Sequence, residues 1–170
     1  MNMKLKNKIA KIDINTHVEI SLILSELQFR YDSTFIDKLK LEHEQLITML
    51  KVFSNYSKLK KFNKISRLLA LFKSKLQNNF INKGFRLHIY LRKANPNNIL
   101  VKNILLNAKT ETIKLHRILN LFLGFYVSCI WSNERKIQFE LDLDEIRTRL
   151  ENNFINEENI LFPLYRPVEL

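Results

Sequence analysis

The stretch LENNFINEENILFPL, residues 150–164, lies at the end of the last segment of this chain in which apolar residues recur at regular spacing. Its first seven residues, LENNFIN, nearly repeat LQNNFIN of residues 76–82, at an offset of 74 positions. His43, followed by leucines three and seven residues later, matches His116 with the same leucine spacing, at an offset of 73. Two similar offsets in the same order indicate that the first half of the chain is repeated in the second.

Apolar residues recur at helical spacing along four segments on either side of this repeat. In the first two segments the predicted inward residues are Ile36, Leu39, His43, Leu46, Leu50 and Phe53, then Ile65, Leu69, Phe72, Leu76, Phe80, Leu87 and Leu91. In the last two they are Leu105, Ala108, Thr112, His116, Leu119, Leu123, Tyr126 and Ile130, then Ile137, Leu141, Ile146, Leu150, Asn153, Glu157, Leu161 and Leu164. Helix caps are predicted at residues 32–34 and at Ser132 or Asn133, and Pro96 separates the halves.

This pattern predicts an all-α protein, an up-down-up-down four-helix bundle built from two helical-hairpin repeats. The bundle occupies residues 32–167 and follows an N-terminal extension, residues 1–31. Composition agrees, because 170 residues with 46% apolar and 26% charged side chains are typical of one globular domain. The chain has only 2 Gly and 3 Pro, where average usage gives roughly 12 and 8, which excludes turn-rich β folds and glycine-dependent nucleotide-binding folds.

The single cysteine, Cys129, excludes an intramolecular disulfide framework and paired-cysteine metal motifs. No apolar stretch is long enough to span a bilayer, and no apolar signal segment follows the basic N-terminus. We therefore expect a cytoplasmic protein without membrane insertion. No Ser-His-Asp or Cys-His spacing stands out, so we expect no catalytic residue and no enzymatic activity.

The net charge is +11, and its excess lies in the middle third of the chain. Residues 61–120 hold 13 Lys or Arg against the single acid Glu111. The predicted basic face consists of Lys73, Lys75, Lys83, Arg86, Arg92 and Lys93. Such a face favours an anionic partner such as nucleic acid, or it is a solvated, lysine-rich surface. No helix-turn-helix, RRM or OB signature accompanies it.

Several polar residues fall on the inward faces of the predicted helices. They are His43, Asn79, His116, Asn153 and Glu157. Lys83 comes one turn after Asn79, just as Glu157 comes one turn after Asn153. Such a layer either satisfies its own hydrogen bonds, with Lys83 or a protonated His116 neutralising Glu157, or holds a metal ion.

Residues 153–164, NFINEENILFPL, resemble the closing motif of the hemerythrin-like (HHE cation-binding) family, His-Phe-x-x-Glu-Glu-x-x-Leu-Phe-Pro-x-Leu. Glu42 with His43, and His116 in the second half, are similar to the Glu-His element of that family. The resemblance covers about residues 34–165. It implies a four-helix bundle in which each half supplies one His and then a His-x-x-x-Glu pair to a dinuclear iron site.

This chain departs from that ligand set at three positions, with Asn79 and Asn153 in place of His and Lys83 in place of Glu. The metal ligands that the resemblance still implies are His43, His116 and Glu157, with Glu158 or His88 as further donors. Three donors are too few for two iron ions, and iron prefers imidazole and carboxylate to neutral amides. We therefore expect no cofactor, with iron at low occupancy as the alternative.

Residues 150–158 are more weakly similar to the last helix of the Rsd/AlgQ family of sigma-factor-binding bundles. That resemblance implies a protein partner. The sequence thus favours a non-enzymatic regulatory or interaction protein on a degenerate hemerythrin-like bundle. The alternatives are an iron or oxygen sensor with a reduced ligand set, and nucleic-acid binding through residues 61–120.

Overall fold

The computed structural model describes residues 30–167, in which every regular element is helical. The α-helices are α1 (Phe35–Lys58), α2 (Phe62–Ile81), the short α3 (His88–Ala94), α4 (Ile99–Tyr126) and α5 (Asn133–Asn156). A first π segment (Asn82–Leu87) joins α2 to α3, a second π segment (Glu157–Leu161) extends α5, and a 3-10 turn (Phe162–Leu164) follows. The all-α prediction is confirmed for these residues. The predicted extension lies outside them, apart from its last two residues.

The start of α1 and the turn after it follow from local hydrogen bonding. The Asp32 carboxylate accepts hydrogen bonds from the backbone N–H of Thr34 at 2.9 Å and from its hydroxyl at 2.7 Å. These bonds lower the pKa of Asp32 to about 2. After α1, Lys60 adopts a left-handed backbone with φ of 55°, and its N–H donates to the Ser57 carbonyl at 2.8 Å. This turn brings α2 back alongside α1.

The predicted second helix runs from residue 62 to residue 94 without interruption, but its middle turn is π-helical. The buried residues Asn79, Lys83 and Leu87 follow one another in steps of four. An α-helical stripe alternates steps of three and four, so the wider π turn is what keeps all three on the inner face. The second π segment likewise buries Glu157 and Leu161. Single π turns within helices frequently mark functional sites.

The connection between α4 and α5 differs from the prediction at Ile130. The helix α4 ends at Tyr126, and Ile130 is 84% exposed, so its predicted inward position is wrong. The helix α5 begins after Ser132, whose hydroxyl accepts a hydrogen bond from the Arg135 N–H at 3.3 Å. Ser132 is therefore the cap of the fourth predicted helix.

The first two turns of α5 also face differently from the prediction. Phe139 and Leu143 are buried, whereas Ile137 and Leu141 are exposed. The prediction of Ile137 and Leu141 as inward is wrong because the step from Leu141 to Ile146 is five residues, which an α-helical stripe does not contain. The series that starts at Phe139 keeps steps of four and three and reaches Ile146 on the same face.

The four long helices pack as a bundle. The helix α1 contacts α2 and α5, and α4 contacts α2, α3 and α5. The buried side chains form two apolar clusters. The larger cluster includes Leu46, Leu50, Phe53, Ile65, Leu69, Phe72, Leu119, Tyr126, Phe139 and Leu150. The smaller cluster includes Phe35, Leu39, Leu87, Leu91, Leu105 and Leu161. Across residues 30–167, no helix has the length and apolarity needed to cross a membrane.

Candidate functional site

A buried ion pair joins the two π segments at the level between the two apolar clusters. The Lys83 ammonium donates to both carboxylate oxygens of Glu157, at 2.9 Å to Oε1 and 2.8 Å to Oε2. Lys83 is 2% exposed and Glu157 is 4% exposed. A charge at this depth is strongly unfavourable unless it is paired and hydrogen-bonded. Each residue therefore makes the burial of the other tolerable.

His43 of α1 lies between two carboxylates of the last helix. Its Nδ1 is 2.7 Å from Oε1 of Glu158, a hydrogen bond, and its Nε2 is 3.3 Å from Oε2 of Glu157. The Nε2 atom is buried, and its contact with Glu157 is an ion-pair distance without hydrogen-bond alignment. The imidazole stacks on Phe154 with ring centroids 3.7 Å apart and planes 6° from parallel. These contacts hold the imidazole plane fixed beside Glu157.

The charges around Glu157 decide its protonation state. Burial alone raises the pKa of the Glu157 carboxyl, but the Lys83 ammonium and the nearby His43 imidazole lower it, and the pKa is below its ordinary value overall. The carboxylate is therefore ionised at neutral pH, and its pair with Lys83 is a salt bridge in a weakly polar interior. The predicted need of Glu157 for a cation is met by Lys83.

Two side-chain amides and the Glu42 carboxylate of α1 form a hydrogen-bonded group beside the layer. The Glu42 carboxylate accepts bonds from the side-chain amides of Asn79, at 2.8 Å, and Asn82, at 2.9 Å. Asn79 is fully buried, and its Oδ1 has no hydrogen-bond partner within the described part of the chain. Glu42 was not predicted as an acceptor. The signal for it was the spacing of Asn79 and Asn82, which places two amides on one helix face.

His116 does not join this layer. It is exposed, stands edge-on to the Phe80 ring at 5.1 Å, and approaches the Asn120 amide at 3.2 Å. Its predicted inward position, both as a layer residue and as a metal ligand, is wrong. The helix α4 buries Leu115 and Leu119 instead. The predicted stripe reached His116 through steps of four residues. Each such step rotates about 40° beyond one full turn of the helix, so the predicted stripe moves away from the buried face.

At the level of the layer, α4 contributes Ala108 and Thr112, both half-buried, and not the predicted ligand His116. Asn153 of α5 is also only partly buried, although its Oδ1 is inaccessible and lacks a hydrogen-bond partner within residues 30–167. Asn153 lines a cavity of about 230 Å³ that Ala108 and Glu157 share. The polar layer in the structure thus consists of His43, Asn79, Lys83 and Glu157, with Glu42 and Glu158 at its edge.

Three of the predicted metal ligands, His43, Glu157 and Glu158, come together, but they do not converge on one point. His43 contacts Glu157 and Glu158 through different ring nitrogens, so the two carboxylates lie on different edges of the imidazole. Both oxygens of Glu157 already accept bonds from Lys83. No group of three or more His, Cys, Asp or Glu side chains among the described residues is arranged to hold a metal ion.

The predicted basic face is divided by the fold. Three of its six members are exposed: Lys73, Arg92 and Lys93. Lys75 is partly buried and donates to Gln45 at 2.8 Å, and Arg86 is partly buried with its guanidinium 3.4 Å from Asp32. The placement of Lys83 on this face is wrong, because the π turn directs it into the layer.

Burial also shifts the pKa of two further titratable side chains, Cys129 and His88. Burial raises the pKa of the Cys129 thiol, so this group stays protonated at neutral pH. His88 is partly buried, and burial together with nearby lysines lowers its pKa.

The chain matches no protein-family model, no curated protein and no solved structure. Its function is therefore inferred from the arrangement of its own residues.

Proposed function

We propose that this chain is a non-enzymatic regulatory or interaction protein on a degenerate hemerythrin-like bundle that has lost a dinuclear iron site. The buried Lys83–Glu157 pair is the observation that carries the proposal. The resemblance places a ligating Glu at both positions, one in each half of the chain. Here one of the two is an ammonium, whose nitrogen lies 2.8 Å from the remaining carboxylate. A side-chain cation thus occupies the carboxylate that iron would need.

The same pair supports an origin from two helical hairpins in up-down-up-down order. Lys83 and Glu157 are 74 residues apart, which is the offset of the LQNNFIN and LENNFIN segments. Each residue lies in a π segment that follows or overlaps the end of its own copy of the repeat. A contact of this kind is expected between equivalent positions of two similar hairpins that pack as one bundle.

Two further observations support an interaction role in place of catalysis. The protonated thiol of Cys129 is a poor nucleophile. The outward face of α4 leaves several large apolar side chains uncovered: Ile99, Leu100, Leu106, Ile113, Leu121 and Phe125. Exposed apolar side chains gathered on one helix are typical of surfaces that bind another protein. We infer a protein partner in the cytoplasm.

The iron content of the purified protein tests this proposal against the metal-sensor alternative. Wild-type protein from iron-supplemented cells is expected to contain far less than one iron per chain by elemental mass spectrometry. A variant that restores the family residues at the three departing positions, Asn79→His with Lys83→Glu and Asn153→His, is expected to gain iron. Stoichiometric iron in the wild type that is lost in His43→Ala, but kept in the exposed-site control His116→Ala, would overturn the proposal.

A further inference from the structure

A half-open groove of about 370 Å³ lies between α4 and the helix formed by α2, the first π segment and α3. No Asp or Glu lines it. Three exposed cationic side chains do: Arg92, Lys102 and Lys109. Within residues 30–167, no carboxylate forms an ion pair with any of these three. The groove therefore presents positive charge that the described part of the fold does not neutralise.

The walls of the groove are apolar. Leu106 is 63% exposed and Ile113 is 59% exposed, and they lie seven residues apart on the same face of α4. Ile89 faces them from α3, and Leu105 is buried below. Uncovered aliphatic side chains along a groove are unfavourable in water, and burying Leu106 and Ile113 under a partner would be favourable.

The length of the groove fits a short helix. Its lining runs from Phe80 to Arg92 on one side, which is about 18 Å of helix at 1.5 Å per residue. A partner helix of about 12 residues, or three turns, has the same length. An amphipathic helix places apolar residues on one stripe and charged residues beside it, which matches aliphatic walls with cations at their edges.

We propose that this groove binds an acidic amphipathic helix of a partner protein, with its apolar stripe on Leu106 and Ile113 and its carboxylates beside Arg92, Lys102 and Lys109. This inference rests on the proposed interaction function and names the surface and the chemistry of the partner. Nucleic acid fits less well, because contacts to phosphates use the cations and leave the aliphatic walls uncovered.

Gly84 provides a direct way to close the groove. It lines the groove, and a Cβ built on it meets no atom within 4 Å. The variant Gly84→Leu should therefore have open space at its Cβ and place an isobutyl group in the groove, and leucine is a better helix former than glycine. Gly124 is the matched control, because it is a helical glycine with the same open surroundings and does not line the groove.

The experiment selects a displayed library of random 16-residue peptides on the full chain and measures the enriched sequences as fluorescent synthetic peptides by anisotropy. Enriched peptides are expected to carry net negative charge and apolar residues at helical spacing. Their affinity should fall at least about tenfold in Gly84→Leu and stay within about twofold in Gly124→Leu. Lys109→Glu should weaken binding at least about fivefold. Lys73→Glu, at an exposed lysine that does not line the groove, should weaken it much less.

Several outcomes would overturn the inference. The selection yields no enriched peptide, the enriched peptides lack acidic residues, or they bind wild type and Gly84→Leu equally. Displacement of the peptide by an RNA oligonucleotide at equal concentration would assign the groove to nucleic acid instead. Peptides that bind wild type and Gly84→Leu equally would refute this surface while leaving the interaction function standing. Stoichiometric iron would refute the proposed function without any change in peptide binding.

Discussion

Replacing Lys83 by methionine isolates the contribution of the buried ion pair. Methionine has a similar length and no charge, so Lys83→Met leaves the Glu157 carboxylate at 4% exposure without its ammonium. At 2.8 Å and an effective dielectric constant of about 20, the lost attraction is about 6 kcal/mol. In the wild type, the cost of burying the ammonium offsets part of this attraction. In the variant, His43 still lies beside Glu157. The net loss of unfolding free energy is therefore expected to be about 3–5 kcal/mol.

The double variant separates pairing from burial. In Lys83→Met with Glu157→Leu, neither member of the pair has a charge to be desolvated, and apolar groups of similar volume replace both. Such replacements of buried ion pairs are often neutral or stabilising by about 1–4 kcal/mol. The double variant should therefore lose less stability than Lys83→Met alone. For a chain of this size, the single variant should melt about 6–20 °C lower than the wild type.

Urea unfolding at pH 7, followed by circular dichroism and by the fluorescence of the single tryptophan, measures both effects. Lys73→Met is the matched control, because Lys73 is an exposed lysine of α2 and its loss should change stability by no more than about 0.5 kcal/mol. The lowered pKa of Glu157 adds a pH signature. The stability contributed by the pair is present above the ordinary carboxyl pKa and lost as pH falls through the lowered one. The difference between wild type and Lys83→Met should therefore shrink in acid.

Two results would refute this reasoning. A loss below about 1 kcal/mol in Lys83→Met would mean that the ammonium is not paired with a buried, ionised carboxylate. A double variant as destabilised as the sum of its two single variants would mean that Lys83 and Glu157 act independently.

Three further predictions concern other parts of the bundle. Because burial lowers the pKa of His88, the unfolded chain takes up its proton first, and wild-type stability should fall as pH drops below about 6.5; His88→Asn should flatten this fall in urea titrations, and identical pH slopes would contradict the assignment. Ser132→Ala removes the cap of α5 and should cost about 0.5–2 kcal/mol in urea unfolding, whereas no shift of the midpoint would show that the cap is dispensable. Phe53→Ala empties a fully buried core position and should cost about 3–5 kcal/mol by the same assay; a cost below 1 kcal/mol would mean that the core collapses around the gap.

The helical segments could be predicted because local spacing determines them. Apolar residues spaced three and four positions apart predicted α1 and α2 correctly, and Ser132 was one of two predicted caps of α5. His43 and His116 show the limit of this method. They have the same leucine spacing, yet one is 2% exposed and the other faces solvent. A stripe extended through Ala108 and Thr112 drifts around the helix, and only packing against neighbouring helices determines which residues of α4 are buried.

The π segments could not be predicted from periodicity. An apolar stripe predicts an unbroken α-helix through residues 79–87, because nothing local marks a wider turn. The structure directs Lys83 inward, where it meets a carboxylate 74 positions away in the sequence. The same turn removes Lys83 from the predicted basic face. The groove that Arg92, Lys102 and Lys109 line was not predicted either, because it exists only where two separate helices lie side by side.

Residue spacing alone predicted that the chain is helical, that polar residues interrupt its inward stripes, and that Glu157 would need a cation. The packed helices were needed to show that this cation is Lys83, that His43 contacts both Glu157 and Glu158, and that His116 takes no part. The two kinds of result differ because the interactions behind them have different ranges. Residue spacing fixes the face of one helix through local geometry, whereas contacts between distant residues depend on how the helices rotate and slide against each other when the core packs.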